Sequence, residues 1–122
     1  MSHQFDDVVD RYLQVWNETD PAARAAAAAR VFTEDVSYVD PLMAVTGRQA
    51  LIDAIGAVHG QFPGFVFRPA ASVDGHHDQV RFGWELGPDG ATEAPVAGFD
   101  VAVLDPFGRI GAVHGFLDRI PA

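Results

Sequence analysis

Asp100 stands between Phe99 and the run Val101-Ala102-Val103, in a segment that reads as a strand. Aspartate is depleted in strand interiors. A carboxyl buried there must be neutral or paired. It is therefore either a proton-transfer group or the partner of an arginine such as Arg81 on a neighbouring strand. Asp40 precedes Pro41, where an aspartate closes a turn or offers a second carboxylate. Tyr12 lies on the apolar face of the first helix, and its hydroxyl needs a partner there.

Absences narrow the chemistry further. The 122 residues include no Cys, and all eight basic residues are Arg. This removes thiolate nucleophiles, thiolate metal sites, Schiff-base lysines and phosphate-binding P-loops. Serine occurs at Ser2, Ser37 and Ser72, none of them in a nucleophile elbow. An enzyme made from this set works with Asp, Glu, His, Tyr and Arg, and so by proton transfer rather than covalent catalysis. No metal and no cofactor are expected. His76-His77-Asp78 reads as a solvated hairpin turn, and adjacent strand residues point to opposite faces, which makes a poor chelate. His59 falls near the end of the third helix, where a cation suits the dipole. His114 stands mid-strand beside Gly115, a place where a ligand can approach closely. Trp16, Phe62, Phe82, Trp84 and Phe116 are candidates for the wall of an apolar pocket, alongside His114.

The formal net charge of −9 repels nucleic-acid phosphate and anionic membrane surfaces, so neither is an expected partner. No run of 18 apolar residues is present, so no transmembrane helix is expected. Met1 to Asp7 is polar and acidic, unlike a signal peptide. A cytoplasmic location is the expectation.

The elements that must position these side chains follow from periodicity. Phe5, Val8, Val9, Tyr12, Leu13, Val15 and Trp16 form an amphipathic helical stripe, with Asp6 and Asp7 in the first turn. Asp20 and Pro21 open a second helix that runs through the alanine stretch to about Phe32. A short strand, Val36 to Val39, ends at Asp40-Pro41. Thr46 and Gln49 match a capping box for a third helix, which buries Leu51, Ile55, Val58 and Phe62 and stops at Pro63-Gly64. Four β runs follow: Phe65–Val73, Gln79–Leu86, Ala94–Leu104 and Arg109–Asp118. The turns between them are Asp74-Gly75, Pro88-Asp89-Gly90 and Asp105-Pro106-Phe107-Gly108. Hairpin-length connections make an antiparallel meander. The expected class is α+β, a single domain over 1–122 with three N-terminal helices packed on a curved, mainly antiparallel sheet.

Three segments give the sequence a family resemblance. They are Arg11-Tyr12-Leu13 with Trp16-Asn17, Val39-Asp40-Pro41 leading to Gly47-Arg48, and Gly98-Phe99-Asp100-Val101 followed by Asp105-Pro106-Phe107-Gly108-Arg109-Ile110. In order and spacing they resemble the ketosteroid isomerase and SnoaL-like polyketide cyclase branch of the nuclear transport factor two-like superfamily. The resemblance implies a cone-shaped (cystatin-like) fold around one apolar pocket. It implies that Asp40 is the general base and that Tyr12 and Asp100 are oxyanion donors, as in the isomerases; the SnoaL-like cyclases would instead make Asp100 the acid–base group. Limonene epoxide hydrolases carry an Arg two positions before this Asp, where this chain has Gly98, which argues against epoxide hydrolysis.

The function expected is cofactor-independent proton transfer next to a carbonyl, by an isomerase or cyclase acting on a small hydrophobic molecule. The alternative is a non-catalytic small-molecule-binding or assembly domain on the same frame. Val96, Gly98, Asp100, Ala102 and Leu104 should face the helices. The opposite face carries Phe99, Val101 and Val103 and is also apolar. A sheet covered on one side alone would not show this, so a homodimer through the sheet face is expected.

Overall fold

The computed structural model describes residues 3–121. Helix α1 (His3–Asn17) buries Val8, Val9, Tyr12, Leu13, Val15 and Trp16, the stripe expected from spacing. Helix α2 (Pro21–Val31) has Asp20 as its N-cap, whose carboxylate accepts from the Ala23 N–H at 2.8 Å, and Pro21 in its first turn. These are followed by β1 (Phe32–Val39), β2 (Ala44–Thr46), α3 (Arg48–Gln61), β3 (Phe65–His76), β4 (Gln79–Pro88), β5 (Val96–Leu104) and β6 (Ile110–Arg119). The class is α+β, with three helices packed on one curved, mixed sheet.

The six strands run in the order β2-β1-β6-β5-β4-β3. All neighbours are antiparallel except β1 and β6, which are parallel. Along β5, burial alternates: Val96, Gly98, Asp100 and Ala102 are buried, while Ala97, Phe99, Val101 and Val103 are less so. In β4, Val80, Phe82, Trp84 and Leu86 are buried on the same side. That side meets Tyr12, Trp16 and Leu51 in the core.

Several local expectations need correction. The Thr46–Gln49 capping box does not form. Thr46 is the last residue of β2, paired with Ser37, and Gly47 at φ +99° turns the chain into α3 with no side-chain cap. That φ is open to glycine and strained for other residues. The Gln49 amide donates instead to Asp53, at 3.0 Å. Strand β1 begins at Phe32, not Val36, because Phe32 already pairs with Ile110. Asp74-Gly75 is not a turn. After an irregularity between Ala70 and Asp74, the β3–β4 ladder continues to His76–Gln79. The turn lies at His77-Asp78, with His77 at φ +56°. Arg81 faces Asp74 across this ladder at 3.7 Å, so it is not the partner of Asp100.

Two polar devices lock the helices to the sheet. The Asn17 side chain donates to the Phe67 carbonyl at 2.8 Å and accepts from the Phe67 N–H at 2.7 Å. It thereby acts as one more rung on β3. His59 Nε2 lies 2.6 Å from the Trp16 carbonyl oxygen and ties α3 to the end of α1. Among the described residues, no helix is long and apolar enough to cross a membrane.

Candidate active site

A cavity of about 570 Å³ opens between the helices and the inner face of the sheet. This is the size of a small-molecule site. Its apolar wall includes Leu13, Trp16, Phe62, Phe67, Leu86 and Val96. Leu42 (76% exposed) and Ile120 (58%) also line it and mark the mouth. Set into this apolar wall are Tyr12, Tyr38, Asp40, Trp84 and Asp100.

Asp100 is 2% exposed. It sits in mid-β5 opposite Phe82 on one side and Gly115 on the other. The Tyr12 hydroxyl donates to its Oδ2 at 2.8 Å, and the Trp84 indole N–H donates to its Oδ1 at 3.1 Å. Burial pushes its pKa up from 3.8 to about 6. The two donors favour the carboxylate and hold the rise in check, while the charge of Asp40 adds to it. An indole can donate but not accept, so Oδ1 receives a hydrogen bond from Trp84 in either protonation state of the acid. The same burial, with Asp100 close by, raises the Tyr12 phenol well above its ordinary value.

Asp40 stands at the end of β1, where Pro41 forces the chain out of the strand. Its Oδ1 accepts from the backbone N–H groups of Leu42 and Met43, at 2.8 and 3.0 Å, and its Oδ2 from the Tyr38 hydroxyl at 2.7 Å. It therefore both closes a turn and borders the cavity. Burial, aided by Asp100 and Asp40, raises the Tyr38 phenol.

Two glycines make room for this cluster. A Cβ on Gly115 would lie 2.9 Å from Asp100 Oδ1 and 3.1 Å from Asp40 Cβ. Gly115 is thus the gap in β6 across which the two aspartates approach one another. A Cβ on Gly98 would strike Trp84 Cζ2 at 2.7 Å, so the indole that reaches Asp100 lies against the bare backbone of β5.

Of the side chains singled out in the sequence, the structure gathers Tyr12, Trp16, Asp40, Phe62, Trp84 and Asp100 around the cavity. It places three elsewhere. Phe82 is on the inner face but deeper, 1% exposed, with its ring 5.1 Å from that of Tyr12 in an edge contact. His114 and Phe116 are exposed, on the outer face of β6, because it is Val113, Gly115 and Leu117 that turn inward. Phe116 stacks on Phe99 there, with ring centroids 4.9 Å apart and planes 12° from parallel. Sequence reasoning missed Tyr38, although its place two residues before Asp40 on one strand puts both on the same face. It also missed the hydrogen bond made by Trp84, having read the residue as wall.

The SnoaL-like domain profile matches residues 9–111, and the chain belongs to that family. Among solved structures it is similar to a candidate isomerase of the SnoaL-like family from Agrobacterium tumefaciens. That protein is 37% identical, with a TM-score of 0.90, over 95% of this chain and 98% of the other. A candidate polyketide cyclase from Sinorhizobium meliloti is 17% identical, with a TM-score of 0.71, over 92% of this chain and 97% of the other. A de novo designed protein with a curved β-sheet is 13% identical, with a TM-score of 0.70, over 97% and 88%. The last two likenesses are of fold alone. No curated protein matches the chain.

Proposed function

We propose that the protein catalyses cofactor-independent proton transfer next to a carbonyl, on a small hydrophobic substrate bound in the cavity, and that Asp100 is the group that takes the proton. The observation that carries this reading is the environment of Asp100. Its carboxyl is buried in an apolar cavity, has a pKa near 6, and accepts from one donor on each oxygen. A general base works best with a pKa near the operating pH. Two donors aimed at a carboxylate suit a base better than a permanently neutral acid.

In the reaction proposed, Asp100 removes a proton from the carbon beside the carbonyl. The C–H electron pair passes to the carbonyl oxygen and gives an enolate. Once Asp100 is neutral, its charge-assisted hydrogen bond from Tyr12 weakens, and that hydroxyl is released to donate to the enolate oxygen. Return of the proton at another carbon isomerises the substrate. In a cyclisation the enolate carbon instead bonds to a second carbonyl carbon, that carbonyl's π pair passes to its oxygen, and the alkoxide so formed takes back the proton held by Asp100. The resemblance to isomerases that use the aspartate at position 40 as base is met by a different assignment here. Asp40 already accepts three hydrogen bonds, and its role is to hold the mouth loop and Tyr38. The 37% identical relative described as a candidate isomerase supports the class of reaction.

The test is solvent exchange. A panel of small cyclic ketones is incubated with protein in D2O, and the protons beside the carbonyl are followed by NMR. Enzyme-dependent loss of those signals is expected. Asp100→Asn should abolish it, and Asp40→Asn should leave most of it. Ketones that bind without any exchange would replace this reading with a carrier, and exchange that survives Asp100→Asn would remove Asp100 from the role.

A further inference from the structure

Five of the eight arginines have evident work. Arg24 is buried and donates to the carbonyls of Glu18 and Thr19. Arg48 donates to the Phe32 carbonyl. Arg68 and Arg119 pair with Glu85, and Arg81 faces Asp74. The other three are Arg11 on α1, Arg30 in the last turn of α2, and Arg109 just after the β5–β6 turn. Among the described residues, none of them makes an ion pair. All three are exposed, and all three line one small concavity of about 170 Å³, with Phe107 and Gly108. It shares no lining residue with the cavity of the candidate active site.

This convergence is out of keeping with the rest of the molecule. The chain carries 17 acidic residues against eight basic ones, yet none of the acids lines this concavity. Like charges gathered from three elements repel one another, and an anion seated between them relieves that repulsion. Arg11 and the segment Phe107-Gly108-Arg109 also belong to the sequence motifs that the proton-transfer site leaves without a role.

We infer that Arg11, Arg30 and Arg109 form a binding site for the phosphate of a phosphate monoester, with Phe107 receiving the apolar body of the same molecule. Guanidinium groups present paired, planar donors that match phosphate oxygens two at a time. Three such forks suit a dianion with three terminal oxygens better than a single carboxylate. The concavity has room for the phosphate among the three guanidinium groups and for part of what is esterified to it. The remainder of that group would lie beside the Phe107 ring, which is 91% exposed.

The test uses inorganic phosphate and phenyl phosphate at fixed ionic strength, followed by amide NMR shifts of the whole protein. Both probes should give saturable shifts at residues 11, 30 and 107–110, with phenyl phosphate the tighter. Arg109→Gln should weaken phosphate binding at least tenfold, as a lost charge-assisted fork implies, and Arg81→Gln should leave it unchanged. Phe107→Ser should remove the advantage of phenyl phosphate while keeping phosphate binding. Well-dispersed spectra establish that each variant is folded. Linear, non-saturating shifts, equal shifts from chloride, or binding that survives Arg109→Gln would each overturn the proposal.

Discussion

Asp100→Asn should make the protein more stable at neutral pH while it disables proton transfer. The Asp100 carboxyl titrates near pH 6 in the folded chain instead of 3.8. Each pH unit of that difference is worth 1.36 kcal/mol, so ionised Asp100 lowers stability by about 3 kcal/mol at pH 8. Below pH 3.8 both states hold the proton and the penalty vanishes. Between about 3.8 and 6 the unfolded chain loses its proton first, and stability falls as pH rises. Above 6 the penalty is constant. Asparagine has nearly the shape of aspartate and no charge to desolvate. Its Oδ1 can accept from Trp84, and its Nδ2 can face the Tyr12 oxygen, which is able to accept as well as donate. Urea unfolding of the wild type and the variant from pH 8 to pH 4 measures the effect. The variant should be more stable at pH 8 by up to about 3 kcal/mol, and the gap should close through the window from 6 to 4. A gap that does not change with pH, or a variant less stable at pH 8, would refute the reasoning about burial.

Two other outcomes follow from the same geometry. Trp84→Phe keeps an aromatic ring against Phe67 but removes the donor to Asp100 Oδ1. A hydrogen bond to a charged group is worth about 1.5–3 kcal/mol, so the Asp100 midpoint should climb from about 6 by roughly one pH unit or more. Carboxyl-carbon NMR reads this directly, and an unmoved midpoint would show that the indole does not support the carboxylate. On the outer sheet face, half-buried Phe99, Val101 and Val103 form a row along β5, with exposed Phe116 stacked on Phe99 at one end, and we propose that a second copy of the chain covers them. Sedimentation should show a homodimer at micromolar concentration and a monomer for Phe116→Glu; a monomeric wild type would end that idea.

How much of this was legible in the sequence depends on whether the signal was periodic. The stripe from Val8 to Trp16 and the alternation from Val96 to Ala102 are long enough to fix which way Tyr12 and Asp100 point, and the structure follows both. Short elements carry no such period. Strand β2 has three residues, Ala44–Thr46, and was invisible; the capping box read at Thr46 failed because Thr46 is claimed by that strand. Phe116 reads as pocket wall from its aromatic ring, and His114 as a pocket residue from its place beside Gly115; both lie on the outer face. The decisive clue was parity: Gly115 opposite Asp100 fixes 113, 115 and 117 as inward and sends 114 and 116 out. Arg30 gave no local signal of its proximity to Arg11 and Arg109, since that proximity arises from how α1, α2 and the β5–β6 turn pack.

Strand β6 is the last in sequence, yet it lies inside the sheet, between β1 and β5. While the chain is being synthesised, both of those strands present unpaired edges until β6 has emerged. Such edges are templates for pairing with other chains. Interrupted translation would therefore release fragments with two open strand edges beyond those of β2 and β3, prone to aggregate. The aspartates at 40 and 100 would also lack the strand that joins them, so a chain cut short before Gly115 has neither a continuous sheet nor the completed candidate site.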